Sequence, residues 1–183
     1  MKTIFLATNN IYKVEEVAQI GITFGYNIEQ FKCDIRELQT LDRDRLIRHK
    51  TVEAFSQLRG PVLVDHASLE IDCLNSMPGT LTQLFWDKLE GTICNIVTAL
   101  GPRSAKAICT VGYCNGKKIF SDECSVTGLI ADKPEGNRNF QWDTIFIPDG
   151  QTRTYGEMTI TEKNAISQRR QAFENMFATI NKL

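Results

Sequence analysis

Residues 7–13 (ATNNIYK) follow a short apolar run and have the composition of an anion-binding turn. Thr8, Asn9 and Asn10 are polar and suit the cap of a following helix. Free backbone N–H groups and the dipole at a helix N-terminus attract anions, and Lys13 adds a positive charge one turn later. The segment predicts a phosphate site; the alternative is an ordinary helix cap followed by a surface lysine.

Asp65 and His66 follow the compact β-branched run 61–64 (PVLV). We expect them at the end of an inner strand, where α/β proteins place ligand chemistry. Asp65 is a candidate for holding a divalent cation or acting as a base, and His66 is one of only two histidines. The alternative is a turn residue beside a partly exposed imidazole.

Phe140, Trp142 and Asp143 belong to the segment FQWD. Two aromatic rings can enclose a flat base, and a carboxylate accepts hydrogen bonds from its ring N–H donors. The segment therefore predicts a base pocket, with a buried aromatic cluster beneath a loop as the alternative.

The segment TEKNAISQRR near the end of the chain is cationic and rich in hydrogen-bond donors. Lys163, Ser167 and Arg170 share one face of a helix at i, i+4 and i+7 spacing, with Gln168 and Arg169 next to them. This helix start suits a phosphate or a base carbonyl; a solvated helix face is the alternative.

Alternating strands and helices must position these side chains. The apolar patterns predict strands at 3–7, 27–32, 61–64, 68–74, 107–114, 117–124 and 125–131, and helices at 11–24, 42–59, 80–100 and 162–181. The helix 42–59 is so polar that we expect it to be solvent-exposed, and Gly91 predicts a break within 80–100. Turns are expected at 77–79 (MPG) and 115–116 (NG), and Thr159 with Glu162 predicts a capping box.

Composition favours a single soluble globular domain spanning residues 1–183. Of the 183 residues, 42% are apolar and 23% are charged, and the net charge is −1. This balance argues against binding to nucleic acid, and no apolar run approaches the about 20 residues that span a membrane. No signal peptide is recognised, so a cytoplasmic location is expected. The six cysteines show no CxxC spacing and are expected to be reduced and partly buried.

In order and spacing, the segments ATNNIYK, GPVLVDHASLEIDCL, MPG, FQWDTIFIPDG and EMTITEKNAISQRR resemble the inosine triphosphate pyrophosphatase family. The resemblance extends from residue 3 to about residue 180. It implies an α/β fold with an elongated mixed sheet, two lobes, helices on both faces and a central nucleotide cleft, in a homodimer. It also implies hydrolysis of noncanonical purine nucleoside triphosphates (ITP, dITP and XTP) to the monophosphate and pyrophosphate, with Mg²⁺.

The resemblance also assigns roles to individual residues. Asp65, His66 and Lys13 occupy the catalytic region, and Asp65 is the candidate metal ligand. The residues matched to substrate binding are Thr8, Asn9, Asn10 and Lys13 in the phosphate turn, Phe140, Trp142 and Asp143 in the base pocket, and Lys163, Ser167, Gln168 and Arg169 in the last helix.

Several positions depart from the family pattern. Asn9 replaces a glycine, which is tolerable because asparagine adopts left-handed conformations comparatively readily. His66 replaces an acidic residue, Gln168 replaces a histidine, and Gln141 replaces a glycine. An ungapped alignment places Arg45 at a metal-binding glutamate, where a guanidinium near Asp65 would compete with magnesium.

Three hypotheses follow. The first is a hydrolase of nucleoside triphosphates with an altered centre. The second is a catalytically silent nucleotide-binding protein in which Arg45 supplies the counter-charge for phosphate. The third is a metal-independent hydrolase that acts on a monophosphate or its glycosidic bond, with Asp65 and His66 as an acid–base pair.

Overall fold

A computed structural model describes the backbone of residues 1–183 and the side chains of residues 1–137 and 141–183. The strands are β1 (Lys2–Ala7), β2 (Tyr26–Phe31), β3 (Val62–Ile71), β4 (Met77–Gly79), β5 (Ser104–Cys114), β6 (Ile119–Ile130) and β7 (Phe146–Pro148). The α-helices are α1 (Ile11–Thr23), α2 (Arg43–Leu58), α3 (Thr82–Leu89), α4 (Thr92–Leu100), α5 (Ile160–Ile166) and α6 (Gln168–Ile180).

The strands form one mixed seven-stranded sheet, which confirms the predicted α/β class. The order is β2-β1-β3-β5-β6-β7, and β4 pairs with β3. β1 runs parallel to β2 and to β3, whereas β4 is antiparallel to β3 and β7 is antiparallel to β6. No helix in the described part of the chain is long and apolar enough to cross a membrane.

The chain divides into two compact units. Unit 1 contains Met1–His66, Cys109–Cys124 and Arg169–Leu183, and unit 2 contains Ala67–Ile108 and Ser125–Gln168. The sheet strands β3, β5 and β6 therefore contribute residues to both units.

Helices α1 and α6 form the larger core of unit 1. Val17 and Ile20 recur at helical spacing on α1 and pack in one cluster with Phe173 and Phe177 of α6. The ring of Tyr26 stacks on Phe177 with 5.3 Å between centroids. This packing fixes α1, whose first turn carries Lys13 and follows directly on the candidate phosphate residues Thr8, Asn9 and Asn10.

Helix α2 is not the solvated helix that its composition predicted. It buries one side, on which Leu46, Ile47, Lys50, Thr51 and Ala54 lie. The prediction was wrong because it relied on the low number of apolar residues in α2. What decides burial is that the few apolar residues fall on one face of the helix.

Gly112 of β5 allows α2 to pack closely against the sheet. A Cβ atom on Gly112 would lie 2.1 Å from Thr51 Oγ1 and 2.9 Å from Val64 Cγ2. Any larger residue would therefore displace α2, the helix that carries Lys50.

Unit 2 has its own apolar core. Leu69, Ile71, Val97, Phe146 and Tyr155 pack in one cluster. Helices α3 and α4 are separated at Gly91, as the sequence predicted.

Three element boundaries differ from the prediction. β3 is one strand across the predicted gap at 65–67, where ion pairs with Lys13 and Arg169 satisfy the buried carboxylate of Asp65. β6 is likewise one strand rather than two, since no turn residue interrupts its alternating pattern before Gly128. Residues 77–79 form the short strand β4 in place of a simple turn.

The predicted helix 162–181 is two helices. The capping box of Thr159 and Glu162 is present, and α5 begins directly after Thr159. Ser167 then adopts an extended backbone with ψ 149°, and α6 starts at Gln168. Neither glycine nor proline marks this break, so the local sequence carries no signal for it.

Candidate functional site

The turn before α1 is held by its own polar side chains. Thr8 Oγ1 accepts a hydrogen bond from Asn10 N over 3.1 Å, and Asn10 Oδ1 accepts from Tyr12 N over 3.0 Å as the cap of α1. Asn9 Nδ2 donates to Cys33 O over 3.1 Å, and its backbone is not left-handed. Asn9 therefore fits the turn without the conformation that the missing glycine suggested.

Asp65 is a buried carboxylate in the middle of β3, not at the end of a strand as predicted. It is 2% exposed. Lys13 Nζ lies 3.1 Å from Asp65 Oδ1 and 3.1 Å from Oδ2. Two candidates that are 52 residues apart in the chain are thus in direct contact within unit 1.

Arg169 links Asp65 to a second buried carboxylate. Its Nε lies 3.4 Å from Asp65 Oδ2, and its Nη1 donates to Oε2 of Glu16, which is fully buried. Because burial of an unpaired charge is costly, Glu16 depends on this guanidinium, whereas Asp65 shares its charge between Arg169 and Lys13.

Lys50 of α2 is a third cation at Asp65. Its Nζ donates to the backbone O of Asp65 over 3.0 Å and to Glu37 Oε1 over 2.5 Å. His66, which is 5% exposed, has Nδ1 at 3.8 Å from the same Glu37 oxygen. Unit 1 therefore brings together three cations, three carboxylates and one imidazole.

These contacts shift the pKa values of the acids and of the imidazole. Burial raises the pKa of Asp65, but Lys13, Arg169 and Lys50 outweigh it and hold that pKa below its ordinary value. Burial also raises the pKa of Glu37. Its contacts with His66 and Lys50 lower this pKa by more, so the net pKa lies below its ordinary value. For His66, burial lowers the pKa from 6.5, so the imidazole is neutral at pH 7.

Lys13 has a lowered pKa despite its carboxylate partner. Burial lowers this pKa most, whereas Asp65 raises it, and Arg169 and Lys50 lower it further. The Lys13 ammonium therefore loses its proton more readily than that of a surface lysine, although its ion pair with Asp65 favours the charged form.

Arg45 does not lie beside Asp65 as the alignment suggested. It is exposed in the first turn of α2, where its backbone N donates to Asp42 Oδ1 over 3.0 Å. The residue of α2 that contacts Asp65 is Lys50, because Lys50 and not Arg45 lies on the buried face of that helix.

Sequence reasoning missed three residues of this cluster, namely Glu16, Glu37 and Lys50. Glu16 lies within α1 next to the buried Val17, and this position was the available signal. Lys50 sits at the helical spacing of Leu46 and Ala54. Glu37 lies in an irregular segment, so no periodicity indicated its contact with Lys50.

The side chains as they stand do not fit magnesium. Magnesium prefers oxygen ligands, yet the side chains of Asp65, Glu37 and Glu16 are each paired with a lysine or arginine. Among the residues that the structure describes, no group of three or more His, Cys, Asp or Glu side chains is placed to hold a metal.

Unit 2 contains a second buried polar cluster. Lys163 Nζ donates to Asp143 Oδ2, and each residue is 4% exposed. The ring of Tyr155 lies 5.6 Å from the same Nζ, and the Tyr155 hydroxyl donates to Gln168 Oε1 over 3.1 Å. Ser167, also buried, ends α5 with its N donating to Lys163 O over 2.9 Å.

Trp142 belongs to the apolar core of unit 2. It is 6% exposed and meets Phe146 edge to face, with 6.1 Å between ring centroids. This matches the alternative of a buried aromatic cluster, and the segment Arg138–Ile145 is a 3-10 helix rather than a loop. The side chain of Phe140 lies outside the described residues.

Arg170 does not share a helical face with Lys163 and Ser167. The helix break at Ser167 puts Arg170 on a different helix, where its Nε lies 2.6 Å from Glu174 Oε1 and its side chain is 41% exposed.

All six cysteines have free thiols, and burial raises the pKa of Cys109 to about 12.

Comparison with known proteins places the chain in a family. The model of the Ham1 family matches residues 4–179. A dITP/XTP pyrophosphatase of Methanopyrus kandleri is 34% identical over 95% of this chain and 93% of its own length. A second dITP/XTP pyrophosphatase, from Hyperthermus butylicus, is 29% identical over 93% of this chain and 90% of its own.

Solved structures agree with this assignment. A HAM1 protein from Coxiella burnetii covers 100% of both chains with a TM-score of 0.83 and 25% identity. The Ham1 protein of Staphylococcus aureus, at 23% identity, shares the fold with a TM-score of 0.80 over 99% of both chains. The chain therefore belongs to the Ham1 family, and the predicted resemblance to inosine triphosphate pyrophosphatases is confirmed.

Proposed function

We propose that this protein hydrolyses noncanonical purine nucleoside triphosphates, of the dITP, ITP or XTP type, to the monophosphate and pyrophosphate. Membership of the Ham1 family and two relatives named dITP/XTP pyrophosphatase support this substrate class. In the reaction, a water oxygen bonds to the α-phosphorus. The bond from that phosphorus to the bridging oxygen breaks, and pyrophosphate leaves with that oxygen.

The observation that carries the proposal is the convergence of Lys13, Lys50 and Arg169 on Asp65. Ammonium and guanidinium groups are the side chains that bind phosphate oxygens. When a triphosphate binds, phosphate oxygens take over donors that the carboxylates now hold. These cations stabilise the negative charge that grows on the leaving pyrophosphate.

His66 is the proposed general base. A buried neutral imidazole can take a proton from the attacking water at pH 7, whereas the low pKa of Asp65 makes its carboxylate a weak base. Asp65 instead orients Lys13 and Arg169. Thr8, Asn9 and Asn10 shape the turn whose backbone N–H groups face the phosphates.

The base is assigned to the polar cluster of unit 2. Asp143 and Lys163 offer an acceptor and a donor, and Ser167 and Gln168 add further hydrogen-bonding groups. Phe140 is the proposed stacking partner, while Trp142 supports the pocket from the core.

A catalytically silent nucleotide-binding protein is the second candidate. The pairing of every carboxylate in the unit 1 cluster favours it, because no acid there is left to hold magnesium. Lys50, rather than the exposed Arg45, would then supply the counter-charge for phosphate.

Pyrophosphate release from dITP and XTP, measured at high enzyme concentration, tests the proposal. We expect turnover that falls about 100-fold or more in Lys13→Met, as for loss of one charge-stabilising donor. Lys117→Met, in the exposed hairpin turn, is the matched control and should retain full activity. Nucleotide binding by calorimetry without any turnover would identify the silent binder instead.

The same assay with magnesium and with a chelator tests the metal requirement. Equal turnover in both would indicate that the three cations serve in place of magnesium. A strict requirement would mean that magnesium displaces a lysine from Asp65 or Glu37 when the nucleotide binds.

A further inference from the structure

Both backbone polar groups of Thr8 are held by the end of β2. Thr8 N donates to Phe31 O over 3.2 Å, which continues the parallel pairing of β1 with β2. Thr8 O accepts a hydrogen bond from Gln30 Nε2 over 3.0 Å. Gln30 is paired with Leu6 in the sheet register, so its side chain reaches two residues beyond its own partner. The bond to Thr8 O is therefore made by a side chain and depends on the residue at position 30.

Asn9 has a separate anchor on the segment that follows β2. Its Nδ2 donates to Cys33 O over 3.1 Å. Its backbone N–H, in contrast, has no protein acceptor within the described part of the chain. The side chain of Asn9 is thus tied to the protein, whereas its backbone donor is available to a ligand.

The peptide bond between Thr8 and Asn9 converts the Gln30 contact into a direction for the Asn9 N–H. This peptide is trans, and a trans peptide is planar with its C=O and N–H pointing in opposite directions. Because Gln30 holds Thr8 O, the Asn9 N–H points away from the Gln30 amide. Rotation of the peptide would cost the Gln30 hydrogen bond, so the glutamine opposes it.

We propose that Gln30 is a positioning residue for the nucleotide, which it serves by keeping the Asn9 N–H directed at a phosphate oxygen. The bond from the Asn9 side chain to Cys33 secures the same peptide a second time. A donor that is already fixed binds at a lower entropic cost than one that must be ordered by the ligand. This inference rests on the proposed function, because that function places the phosphates at the turn before Lys13.

Gln30→Met is the first test, with Gln57→Met as its matched control. Methionine is about as long as glutamine but cannot donate a hydrogen bond. Gln57 Nε2 also donates to a backbone oxygen of unit 1, Asp34 O, over 3.2 Å, so its substitution removes a comparable bond elsewhere. The readout is KM and kcat for dITP and for XTP, or the calorimetric Kd if neither is turned over.

We expect KM, or Kd, to rise about 5-fold in Gln30→Met, the worth of one hydrogen bond, and to stay unchanged in Gln57→Met. The rise should be equal for dITP and XTP, because the loss falls on the phosphates that they share and not on the base. A merely structural role would reduce the fraction of folded protein, which lowers kcat or the number of binding sites and leaves KM and Kd intact.

Asn9→Ala is the second test, because it keeps the backbone N–H and removes only the anchor on Cys33. The backbone of Asn9 is not left-handed, so alanine fits without strain. We expect a smaller rise in KM or Kd, about 2-fold, because the bond to Cys33 is exposed to solvent.

Binding and turnover together separate this inference from the proposed hydrolysis. Weaker nucleotide binding in Gln30→Met supports the inference, even if the wild-type protein releases no pyrophosphate. An unchanged value in Gln30→Met, an equal rise in Gln57→Met, or unequal rises for dITP and XTP would overturn the inference and leave the proposed function standing. Failure of the wild-type protein to bind either nucleotide overturns both.

Discussion

Arg169 Nε lies 3.4 Å from Asp65 Oδ2, although 104 residues separate the two in the chain. The same guanidinium reaches Glu16, 153 residues away. One side chain on the first turn of α6 thus contacts a carboxylate on β3 and another on α1. This arrangement couples the stability of unit 1 to the residues proposed to bind phosphate.

Arg169→Met is expected to lower the free energy of unfolding by about 3–5 kcal/mol, because it leaves Glu16 buried without its cation and removes one of the cations at Asp65. Urea denaturation followed by circular dichroism measures this loss. Arg170→Met is the control: it removes a partly exposed pair with Glu174 and should cost no more than about 0.5 kcal/mol. Equal costs for the two variants would contradict the role given to Arg169.

Asp65→Asn is expected to change how stability depends on pH. The pKa of Asp65 in the folded protein lies below its ordinary 3.8, so the stabilisation is fully present above pH 3.8. As the pH falls from there towards the folded pKa, the carboxylate protonates and the stabilisation is lost. The difference in unfolding free energy between wild type and Asp65→Asn should be constant from pH 5 to 7 and shrink below pH 3.8. A difference independent of pH would show that Asp65 is not stabilised as a carboxylate.

Lys163→Met is expected to destabilise the protein by about 3–5 kcal/mol, since Asp143 would remain buried without its partner. The double variant Lys163→Met with Asp143→Leu should recover most of that loss, because no lone charge remains. Lys133→Met, which removes an exposed pair with Glu135, is the control and should be nearly neutral. Additive losses in the double variant would argue against a buried ion pair.

Gly112→Ala is expected to cost about 1–3 kcal/mol by overpacking, because the new Cβ meets Thr51 and Val64 at less than 3 Å. Gly60→Ala is the control, since a Cβ there approaches only Leu58, at 3.8 Å. Thermal unfolding compares the two. If Gly112→Ala also leaves the unfolding temperature unchanged, the packing of α2 does not depend on the close approach at this glycine.

The sequence was sufficient for the class of fold and for the order of most elements. Hydrophobic periodicity indicated α1 and the strand that carries Asp65, and Gly91 indicated the break between α3 and α4. It failed within β3, where Asp65 and His66 resemble the end of a strand by polarity alone. Their burial depends on Lys13, Lys50 and Glu37, which are distant in the chain and invisible to local patterns.

The candidate site was predicted only in part, because its contacts also join residues that are distant in the chain. Lys13, Asp65 and Arg169 were identified and do meet, as do Asp143 and Lys163. Arg45 was mistaken for the neighbour of Asp65 because alignment gives position along α2 but not the face that is buried. Lys50 meets Asp65 because apolar neighbours at helical spacing turn its side of α2 towards the sheet.

The junction between α5 and α6 limits where the chain can change in length. Ser167 alone separates the two helices, and Gln168 and Arg169 follow at once with their separate partners. One inserted residue turns every later side chain of an α-helix by about 100°, which would carry Arg169 away from Asp65 and Glu16. Insertions and deletions in related chains are therefore expected in the part of the irregular segment between Glu37 and α2, and not at this junction.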